Sequence, residues 1–244
     1  MIDGAELFTG DEEITKALFV VAHPDDIDFG MGGTVAVLTN MGVHVSYCLV
    51  TSGDAGGDAS THTKPERAAI REREQRAAAA VLGVHDLTFL GFADGTVEVT
   101  LELRKEIAKV IRTVRPDLVV TQNPERNWQS IYGSHPDHMA AGEATLRAVY
   151  PDARNPHFFP ELLEEGFVPH TVPQMWVGTA TPNLLVDVTD TIEQKIAALR
   201  EHDSQVGHRD DLADTIREWG ARNAETWGLE GGRLAEGFRK ISTK

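Results

Sequence analysis

Two short motifs place histidine and aspartate side chains at a spacing that suits a metal ion. They are Ala22-His23-Pro24-Asp25-Asp26 and Ser134-His135-Pro136-Asp137-His138. Imidazole nitrogens and carboxylate oxygens are ligands that Zn²⁺ accepts at hydrolytic sites. Two histidines and one carboxylate leave a fourth position open for water, which makes such a site catalytic rather than structural. The candidate ligands are His23, Asp26 and His138.

Asp25 is the acidic residue of the first motif that is not a predicted metal ligand. Because it lies beside Asp26, we expect its carboxylate to accept a proton from the attacking water as a general base. Each motif also has a structural explanation, since an aspartate pair can cap a helix and His138 can be a solvated residue in a first helical turn. Two such motifs in one chain, both at predicted strand-to-helix junctions, favour the metal site.

The segments around the first motif predict the start of a parallel sheet. Residues 17–21 are apolar and rich in β-branched and aromatic side chains, which is typical of a buried strand. After the motif come a predicted glycine turn between Gly30 and Gly33 and a predicted helix at 34–41. The motif therefore lies at the carboxyl end of a strand, where open parallel sheets bind their ligands.

Strands and helices continue to alternate to about residue 150. Further strands are predicted at 43–50, 87–90 and 117–121, and further helices at 64–82, 100–115 and 139–149. This alternation predicts an α/β fold with a Rossmann-like, doubly wound, mostly parallel sheet and helices on both faces. We expect residues 1–244 to form one domain, because no linker or low-complexity tract divides them.

Beyond residue 150 the pattern loosens and predicts a C-terminal lobe at 151–244. Its first part, 151–173, is rich in prolines and aromatic residues, and we expect it to be an irregular segment that covers the site. Two late strands are predicted at 174–178 and 184–188, and two helices at 189–199 and 211–219.

The composition is that of a globular protein with an acidic surface. The chain has 244 residues, 41% hydrophobic residues and a formal net charge of −15. This charge argues against binding to nucleic acid or to anionic membrane surfaces, which both need a basic face. No stretch has the features of a transmembrane helix or a signal peptide. The single cysteine, Cys48, allows no disulfide within the chain, so we expect a cytoplasmic protein.

Taken together, the motifs resemble the PIG-L or LmbE-like family of zinc-dependent N-deacetylases. Members of this family remove acetyl groups from N-acetylglucosamine-type substrates. The resemblance runs from about residue 17 to residue 150, with weaker similarity towards the C-terminus. The similar stretches, in the family's order, are Ala22 to Asp26, Gly32-Gly33, Thr51 to Gly56, Arg71-x-x-Glu74, Leu90 to Gly95, His135 to His138, His202-x-Ser204-Gln205 and Ala235 to Arg239.

The resemblance implies a role for each chemical group of the two motifs. His23, Asp26 and His138 resemble the family's ligands for one Zn²⁺ per chain, which other divalent metals can replace. Asp25 resembles its general base. His135 resembles the histidine that stabilises the oxyanion or protonates the leaving amine, and it lies one helical turn before His138.

Four further residues are expected to contact the substrate. Arg71 and Asp94 resemble family residues that contact the sugar. Ser52 and Asp54 belong to a glycine-rich loop at 51–58 that follows a predicted strand, so we expect them to line the same pocket.

The chain departs from the family pattern at two positions. Ile27 follows the aspartate pair, where an acidic residue is common. Gly133 stands where some members have a tyrosine, and Tyr132 lies one position further from His135. The resemblance therefore does not assign the oxyanion role to a tyrosine.

The sequence predicts an enzyme that hydrolyses the N-acetyl or N-acyl group of an amino-sugar-type substrate, which is a linear amide. The expected partner is a small N-acetylated amino sugar or glycoconjugate, and the sequence leaves open whether the chain forms a homo-oligomer. One alternative is an amidase of the same family that acts on mycothiol-type conjugates. Another is a non-catalytic module that binds metal or sugar, although such a module has no need for the base Asp25. A Rossmann cofactor domain is disfavoured, because Gly30-x-Gly32-Gly33 does not match the G-x-G-x-x-G turn.

Overall fold

Eight strands form one sheet in this computed structural model. The structure describes residues 5–57, 61–128, 131–229 and 231–243. In these residues the strands are β1 (Glu6–Leu7), β2 (Lys16–Val21), β3 (His44–Thr51), β4 (Asp86–Phe92), β5 (Leu118–Thr121), β6 (Gln174–Gly178), β7 (Leu184–Asp187) and β8 (Ala235–Ser242).

The strand order is β1-β7-β8-β6-β5-β2-β3-β4. All neighbouring strands are parallel except at β8, which runs antiparallel to both β6 and β7. In the middle of the sheet, Phe19 of β2 is paired with Tyr47 of β3 and with Val120 of β5. The first motif therefore follows a central strand, and the predicted mostly parallel α/β sheet is confirmed.

Helices cover both faces of the sheet. They are α1 (Asp26–Asn40), α2 (Lys64–Val81), α3 (Leu101–Val114), α4 (Pro136–Arg147), α5 (Pro160–Glu164), α6 (Ile192–Arg200), α7 (Asp203–Val206) and α8 (Leu212–Thr226), with a 3₁₀ turn at Ile131–Gly133 and a π-helical segment at Ala148–Asp152. One apolar core joins α1, α2, α6 and α8 to one face, and a second core joins α3 and α4 to the other. Along β2, Phe19 points into the first core and Val20 into the second, as expected for a strand buried on both faces. Among the described helices, none combines the length and the apolar character needed to cross a membrane.

Helix α1 begins inside the first motif, earlier than the sequence predicts. Its first residue is Asp26. The glycines at 30, 32 and 33 are all helical, so the predicted glycine turn is wrong. Gly33 instead allows close packing, because a Cβ atom there would lie only 2.7 Å from Val188 Cβ. The helix can therefore start directly at the edge of the sheet and still pack against the segment that follows β7.

Residues 151–173 are largely irregular, as predicted, but the prediction that they cover the site is wrong. They pack against α3, where the buried Arg112 donates hydrogen bonds to five of their carbonyl oxygens. His170 of this segment lies 2.8 Å from the carbonyl oxygen of Pro116, which precedes β5. These contacts hold the segment on the α3 side of the sheet. The chain beyond residue 173 returns to the sheet and adds β6, β7 and β8.

Replacement of Gly142 by alanine is expected to destabilise the protein. A Cβ atom at this buried position of α4 would lie 2.3 Å from the backbone oxygen of Gln122. Backbone atoms cannot move aside cheaply, so we expect the free energy of unfolding to fall by about 1–3 kcal/mol. Urea denaturation would measure this difference.

The matched control is Gly30→Ala in α1. No atom lies within 4 Å of a Cβ built at Gly30, so alanine should raise the free energy of unfolding by roughly 0.5–1 kcal/mol. Equal unfolding free energies for the two variants would contradict the close packing of α4 on the segment after β5.

Candidate metal centre and active site

The three predicted metal ligands lie together at the carboxyl edge of the sheet. His23 follows β2, Asp26 opens α1, and His138 lies in the first turn of α4. His23 Nδ1 is 3.2 Å from His138 Nε2, although the two residues are 115 positions apart in the sequence. Asp26 Oδ1 is 3.0 Å from His138 Nε2, and Asp26 Oδ2 is 3.4 Å from His23 Nδ1. Donor atoms of the three residues thus lie within 3.4 Å of one another in pairs.

This set of donor atoms fits a small divalent cation. Tetrahedral bonds of about 2.1 Å separate neighbouring ligand atoms by about 3.4 Å, close to the observed distances. Burial opposes ionisation of Asp26, but hydrogen bonds from His138 and His23 hold the pKa of its carboxyl far below the usual range. The carboxylate is therefore ionised and available to a cation.

The other ring nitrogen of His23 faces two carboxylates. His23 Nε2 lies 3.0 Å from Asp94 Oδ1 and 3.2 Å from Asp137 Oδ2. A carboxylate accepts hydrogen bonds, so Nε2 carries a hydrogen, and a metal ion would bind at Nδ1 in place of the proton there. Burial alone would lower the pKa of His23, but Asp26 and Asp94 raise it to about 10. The site therefore has a strongly negative potential, which favours a metal cation.

Asp137 contacts a candidate metal ligand, His23, which the sequence analysis did not predict. Its carboxylate is fully buried and also accepts hydrogen bonds from the backbone nitrogens of Gly95, at 2.7 Å, and Val97, at 3.3 Å. The sequence pattern explains Asp137 only as a residue at the positive end of a helix. Its position between two histidines of one motif is the signal that could have revealed its contact with His23.

Asp25 has an unusual backbone and a buried side chain. Its φ angle is +82°, a left-handed conformation that non-glycine residues rarely adopt. The Asp25 backbone nitrogen donates a hydrogen bond of 2.8 Å to Gln75 Oε1. Burial raises the pKa of the Asp25 carboxyl to about 6, while the neighbouring Arg71 opposes this shift. A carboxyl group with this pKa can both accept and release a proton near neutral pH.

Arg71 contacts the candidate base. Its guanidinium group donates hydrogen bonds to the carbonyl oxygens of Pro24, at 2.7 Å, and Gly53, at 3.1 Å. It also lies 3.1 Å from Asp25 Oδ2. The side chain is buried, so in this structure Arg71 orients Asp25 and the loop that contains Gly53. Its predicted contact with a sugar stays a prediction.

The other predicted substrate contacts also form hydrogen bonds within the protein. Asp94 accepts a hydrogen bond from Ala55 N, and Asp54 Oδ1 accepts one of 3.0 Å from Asp94 N. Ser52 Oγ donates to Glu72 Oε1 at 2.5 Å. All three lie at the same edge of the sheet as the metal ligands, but their contact with substrate stays a prediction. Asp58, the last residue of the predicted loop, lies outside the described residues.

His135 lies beside the two histidine ligands. Its ring centre is 4.9 Å from that of His23 and 5.0 Å from that of His138. His135 Nδ1 accepts a hydrogen bond of 3.2 Å from the backbone nitrogen of Asp137, so Nε2 carries the hydrogen of the neutral ring. Burial, together with the nearby His23 and His138, lowers the pKa of His135. All three histidines can present nitrogens within 4.8 Å of one another, so His135 is also an alternative ligand.

A buried network behind the site supports Asp25. Gln75 accepts the hydrogen bond from Asp25 N and donates one of 2.8 Å to Asp28 Oδ2. His202 Nε2 lies 2.9 Å from the same oxygen of Asp28. All three side chains of this network are fully buried. His202 belongs to a stretch that resembles the family, but its place in this network was not foreseen.

A Gln75→Ala variant is expected to lose turnover while it keeps its metal. The substitution removes the acceptor that holds Asp25 N in the left-handed conformation, and a displacement of about 1 Å at a reacting group lowers the rate by roughly 100-fold. We therefore expect kcat to fall by about 10- to 100-fold. The measurement is kcat for acetate release per bound metal ion, with metal content determined by elemental analysis.

The control for Gln75 is Gln194→Ala. Gln194 is partly exposed on α6 and pairs with Asn40, away from the metal ligands. This variant should keep the wild-type kcat. If Gln75→Ala also kept the wild-type kcat per metal ion, the Gln75 contact would have no role in positioning Asp25.

A cavity of about 610 Å³ opens beside the metal ligands. Asp26 and His138 line one end of it, and Gln122 and Asn123, which follow β5, line its side. This volume is within the range of small-molecule sites. The His138 side chain is 31% exposed and that of His23 only 9%, so the accessible side of the donor set faces this cavity.

Comparisons with known proteins found a matching family model and similar sequences. The family model described as PIG-L, GlcNAc-PI de-N-acetylase, matches residues 18–149, which include both histidine–aspartate motifs. The chain is 37% identical over 234 residues to the diacetylchitobiose deacetylase of Thermococcus kodakarensis, covering 94% of this chain and 84% of that protein. It is 30% identical over 218 residues to a probable N-acetyl-alpha-D-glucosaminyl L-malate deacetylase of Bacillus anthracis, covering 83% of this chain and 90% of that protein.

A solved structure is similar over almost the whole chain. It is the N,N'-diacetylchitobiose deacetylase from Pyrococcus horikoshii in complex with an inhibitor, with a TM-score of 0.85 and 33% identity. The similarity covers 94% of this chain and 85% of that one, and so includes the sheet and the elements that carry the donor atoms. On the evidence of its motifs, its sheet and these matches, the chain belongs to the PIG-L family.

Proposed function

We propose that this protein is a metal-dependent N-deacetylase that hydrolyses the acetamido group of an N-acetylated amino sugar. The observation that carries the proposal is the convergence of His23, Asp26 and His138 beside the buried carboxylate of Asp25. Similar proteins are named as deacetylases of diacetylchitobiose and of N-acetylglucosaminyl malate. Both names describe an acetyl group on the nitrogen of an amino sugar, so this is the bond that we assign to the present chain.

The metal is proposed to be Zn²⁺, because two imidazoles and one carboxylate are a zinc donor set. His23 Nδ1, His138 Nε2 and the Asp26 carboxylate would hold it. When bound, the ion supplies a Lewis acid that polarises the amide carbonyl and makes the attacking water more acidic. Asp94 and Asp137 keep the hydrogen of His23 on Nε2 and so keep Nδ1 available.

Asp25 is proposed to move the proton in both halves of the reaction. Its carboxylate accepts a proton from water as the water oxygen bonds to the carbonyl carbon. The carboxyl group then gives this proton to the amide nitrogen as the carbon–nitrogen bond breaks. The products are acetic acid, which ionises to acetate, and the free amine, and Asp25 returns to its ionised form. Arg71 orients the carboxylate during this cycle.

His135 is proposed to stabilise the oxyanion that develops on the carbonyl oxygen. Its Nδ1 is occupied by the hydrogen bond from Asp137 N, so Nε2–H is the group that can donate. Of the two roles that the resemblance implies for His135, this proposal keeps the oxyanion role and gives protonation of the amine to Asp25. A neutral ring suits a donor role, and the lowered pKa of His135 favours the neutral form.

Release of acetate from a panel of N-acetylated amino sugars tests this function. The panel includes N-acetylglucosamine, diacetylchitobiose, and N-acetylglucosamine linked to malate, to inositol and to mycothiol-type conjugates. We expect the zinc-loaded protein to release equimolar acetate and free amine from at least one member. Binding of these compounds without release of acetate would instead support a non-catalytic sugar-binding module.

A further inference from the structure

The first turn of α1 contains a buried carboxylate that the proposed chemistry does not use. Asp28 is fully buried, yet its Oδ1 atom has no hydrogen-bond partner in the part of the chain that the structure describes. The same is true of Nδ1 of His202, the residue that pairs with Asp28. Buried polar atoms without partners cost free energy, so stability alone does not explain this pair.

The other oxygen of Asp28 fixes the orientation of the Gln75 side chain. Asp28 Oδ2 accepts hydrogen bonds from Gln75 Nε2, at 2.8 Å, and from His202 Nε2, at 2.9 Å. A carboxylate oxygen only accepts, so the NH₂ group of Gln75 must face Asp28 and its oxygen must face away. That oxygen is the atom that accepts the 2.8 Å hydrogen bond from Asp25 N. Asp28 therefore selects the one amide orientation that supports Asp25.

The backbone of Asp25 depends on this orientation. Its φ angle of +82° costs free energy in a non-glycine residue, so neighbouring contacts must maintain it. If the Gln75 amide were reversed, its NH₂ group would face Asp25 N, and two donors would oppose each other. Arg71, which lies one helical turn before Gln75 in α2, contacts the Asp25 carboxylate at 3.1 Å. Helix α2 thus holds both the backbone and the side chain of Asp25 only while Gln75 keeps this orientation.

His202 holds Asp28 from a distant part of the chain. It lies between α6 and α7, 174 positions from Asp28 in the sequence. The backbone nitrogen of His202 donates to the carbonyl oxygen of Leu199, at 3.1 Å, and its carbonyl oxygen accepts from Val206 N, at 2.9 Å. The backbone of His202 is therefore fixed, and its imidazole keeps Asp28 Oδ2 directed at Gln75.

We propose that Asp28 and His202 are positioning residues that fix the orientation of the Gln75 amide. The oriented amide in turn holds the left-handed backbone of Asp25. This inference rests on the proposed N-deacetylase function, because that function makes Asp25 the base. It assigns an effect on turnover to two residues that touch neither the metal ligands nor the substrate.

A purely structural role is the competing explanation, since the Asp28–His202 pair also joins α1 to the junction of α6 and α7. Two observations favour positioning. Both residues keep an unpartnered buried atom, and replacement of such buried pairs by apolar residues is often neutral or stabilising. The hydrogen bonds of the pair also lead, through Gln75, to the backbone nitrogen of the candidate base.

Two variants of His202 separate these explanations. In His202→Leu, kcat for acetate release per bound metal ion is expected to fall by about tenfold, because a small displacement of a reacting group lowers the rate steeply. KM should stay within about twofold of wild type, since substrate contacts are unchanged. His202→Gln places an N–H donor near the position of Nε2 and should recover kcat to within about threefold of wild type.

His208→Leu is the matched control, because His208 is exposed just beyond α7. This variant should keep the wild-type kcat and KM. A structural role predicts that His202→Leu lowers the melting temperature but keeps the wild-type kcat per folded, metal-loaded protein. That result would overturn the proposal, and so would an equal loss of kcat in His202→Leu and His202→Gln.

A double-mutant cycle tests whether Asp28 acts through Gln75. Asp28→Ala should lower kcat by about tenfold in the wild-type background but by less than about twofold in Gln75→Ala. Losses that multiply would show that Asp28 acts independently of Gln75, against the proposal. Asp28→Asn keeps the shape of the side chain if the alanine variant does not fold. Its amide can turn either its oxygen or its nitrogen to Gln75, so kcat should fall by at least about threefold, and a wild-type kcat would overturn the proposal.

Crystal structures of the wild type and of His202→Leu provide a measurement that does not depend on turnover. We expect Asp25 to keep its positive φ angle in the wild type and to leave the left-handed region in the variant. This change in a protein that releases no acetate would support the positioning role and contradict the deacetylase. Acetate release by the wild type, with an unchanged Asp25 backbone and an unchanged kcat in His202→Leu, would support the deacetylase and overturn the positioning role.

Discussion

An Asp25→Asn variant is expected to keep its metal and to lose turnover by roughly 10²- to 10⁴-fold. The asparagine side chain has nearly the same shape, and its oxygen can still accept the hydrogen bond from Arg71. An amide cannot accept a proton from water, so only the proposed base function disappears. The measurement is kcat for acetate release, together with elemental analysis of bound metal.

Asp214→Asn is the control for Asp25→Asn. Asp214 lies on α8 with its side chain 86% exposed, and its only ion-pair partner in the described chain is Arg217. The same chemical change there should leave kcat within about twofold of wild type. If Asp25→Asn kept near-wild-type kcat with the metal bound, another group would have to be the base.

A His138→Ala variant is expected to lose the metal and, with it, activity. His138 Nε2 lies within 3.2 Å of donor atoms of both His23 and Asp26, so its removal leaves two of the three ligands. Removal of a residue that merely orients a ligand lowers metal affinity by about 10- to 100-fold, so loss of the ligand itself should exceed about 100-fold. Elemental analysis after dialysis against a weak chelator measures the occupancy.

Two further histidine variants serve as comparisons for the loss of metal expected in His138→Ala. His157 is exposed in the segment 151–173, so His157→Ala should retain metal and activity. His135→Ala should retain metal but lose turnover, because His135 is proposed to donate to the oxyanion rather than to bind the ion. Full occupancy in His138→Ala combined with loss of metal in His135→Ala would exchange the roles of the two histidines.

Local sequence determined which residues form the candidate metal set. His23 lies just after β2, and Asp26, three positions later, is the first residue of α1. Both side chains therefore lie at the same strand end. His135 and Pro136 define the start of α4, which puts His138 in its first turn. These features depend on backbone preferences within a few residues, and such preferences can be read from the chain.

The architecture of the sheet was also predictable, but only as far as its alternating pattern extends. The strands β2 to β5 are short apolar runs between helices, which predict a parallel sheet. Strand β8 was not predicted, because Ala235 to Ser242 mixes charged and apolar residues. Its place between β6 and β7 depends on pairing with distant strands rather than on its own composition.

Only the tertiary structure decided how the site is supported. The contacts of His23 Nε2 with Asp94 and Asp137 join the segments after β2 and β4 to the start of α4. The pairing of Arg71 with Asp25 gives an orienting role to a residue that the sequence assigned to the sugar. Trp219 lines the cavity because α8 packs against α6 and β8. Each of these contacts joins residues that are tens of positions apart, and strand order and helix packing, which local patterns do not encode, bring them together.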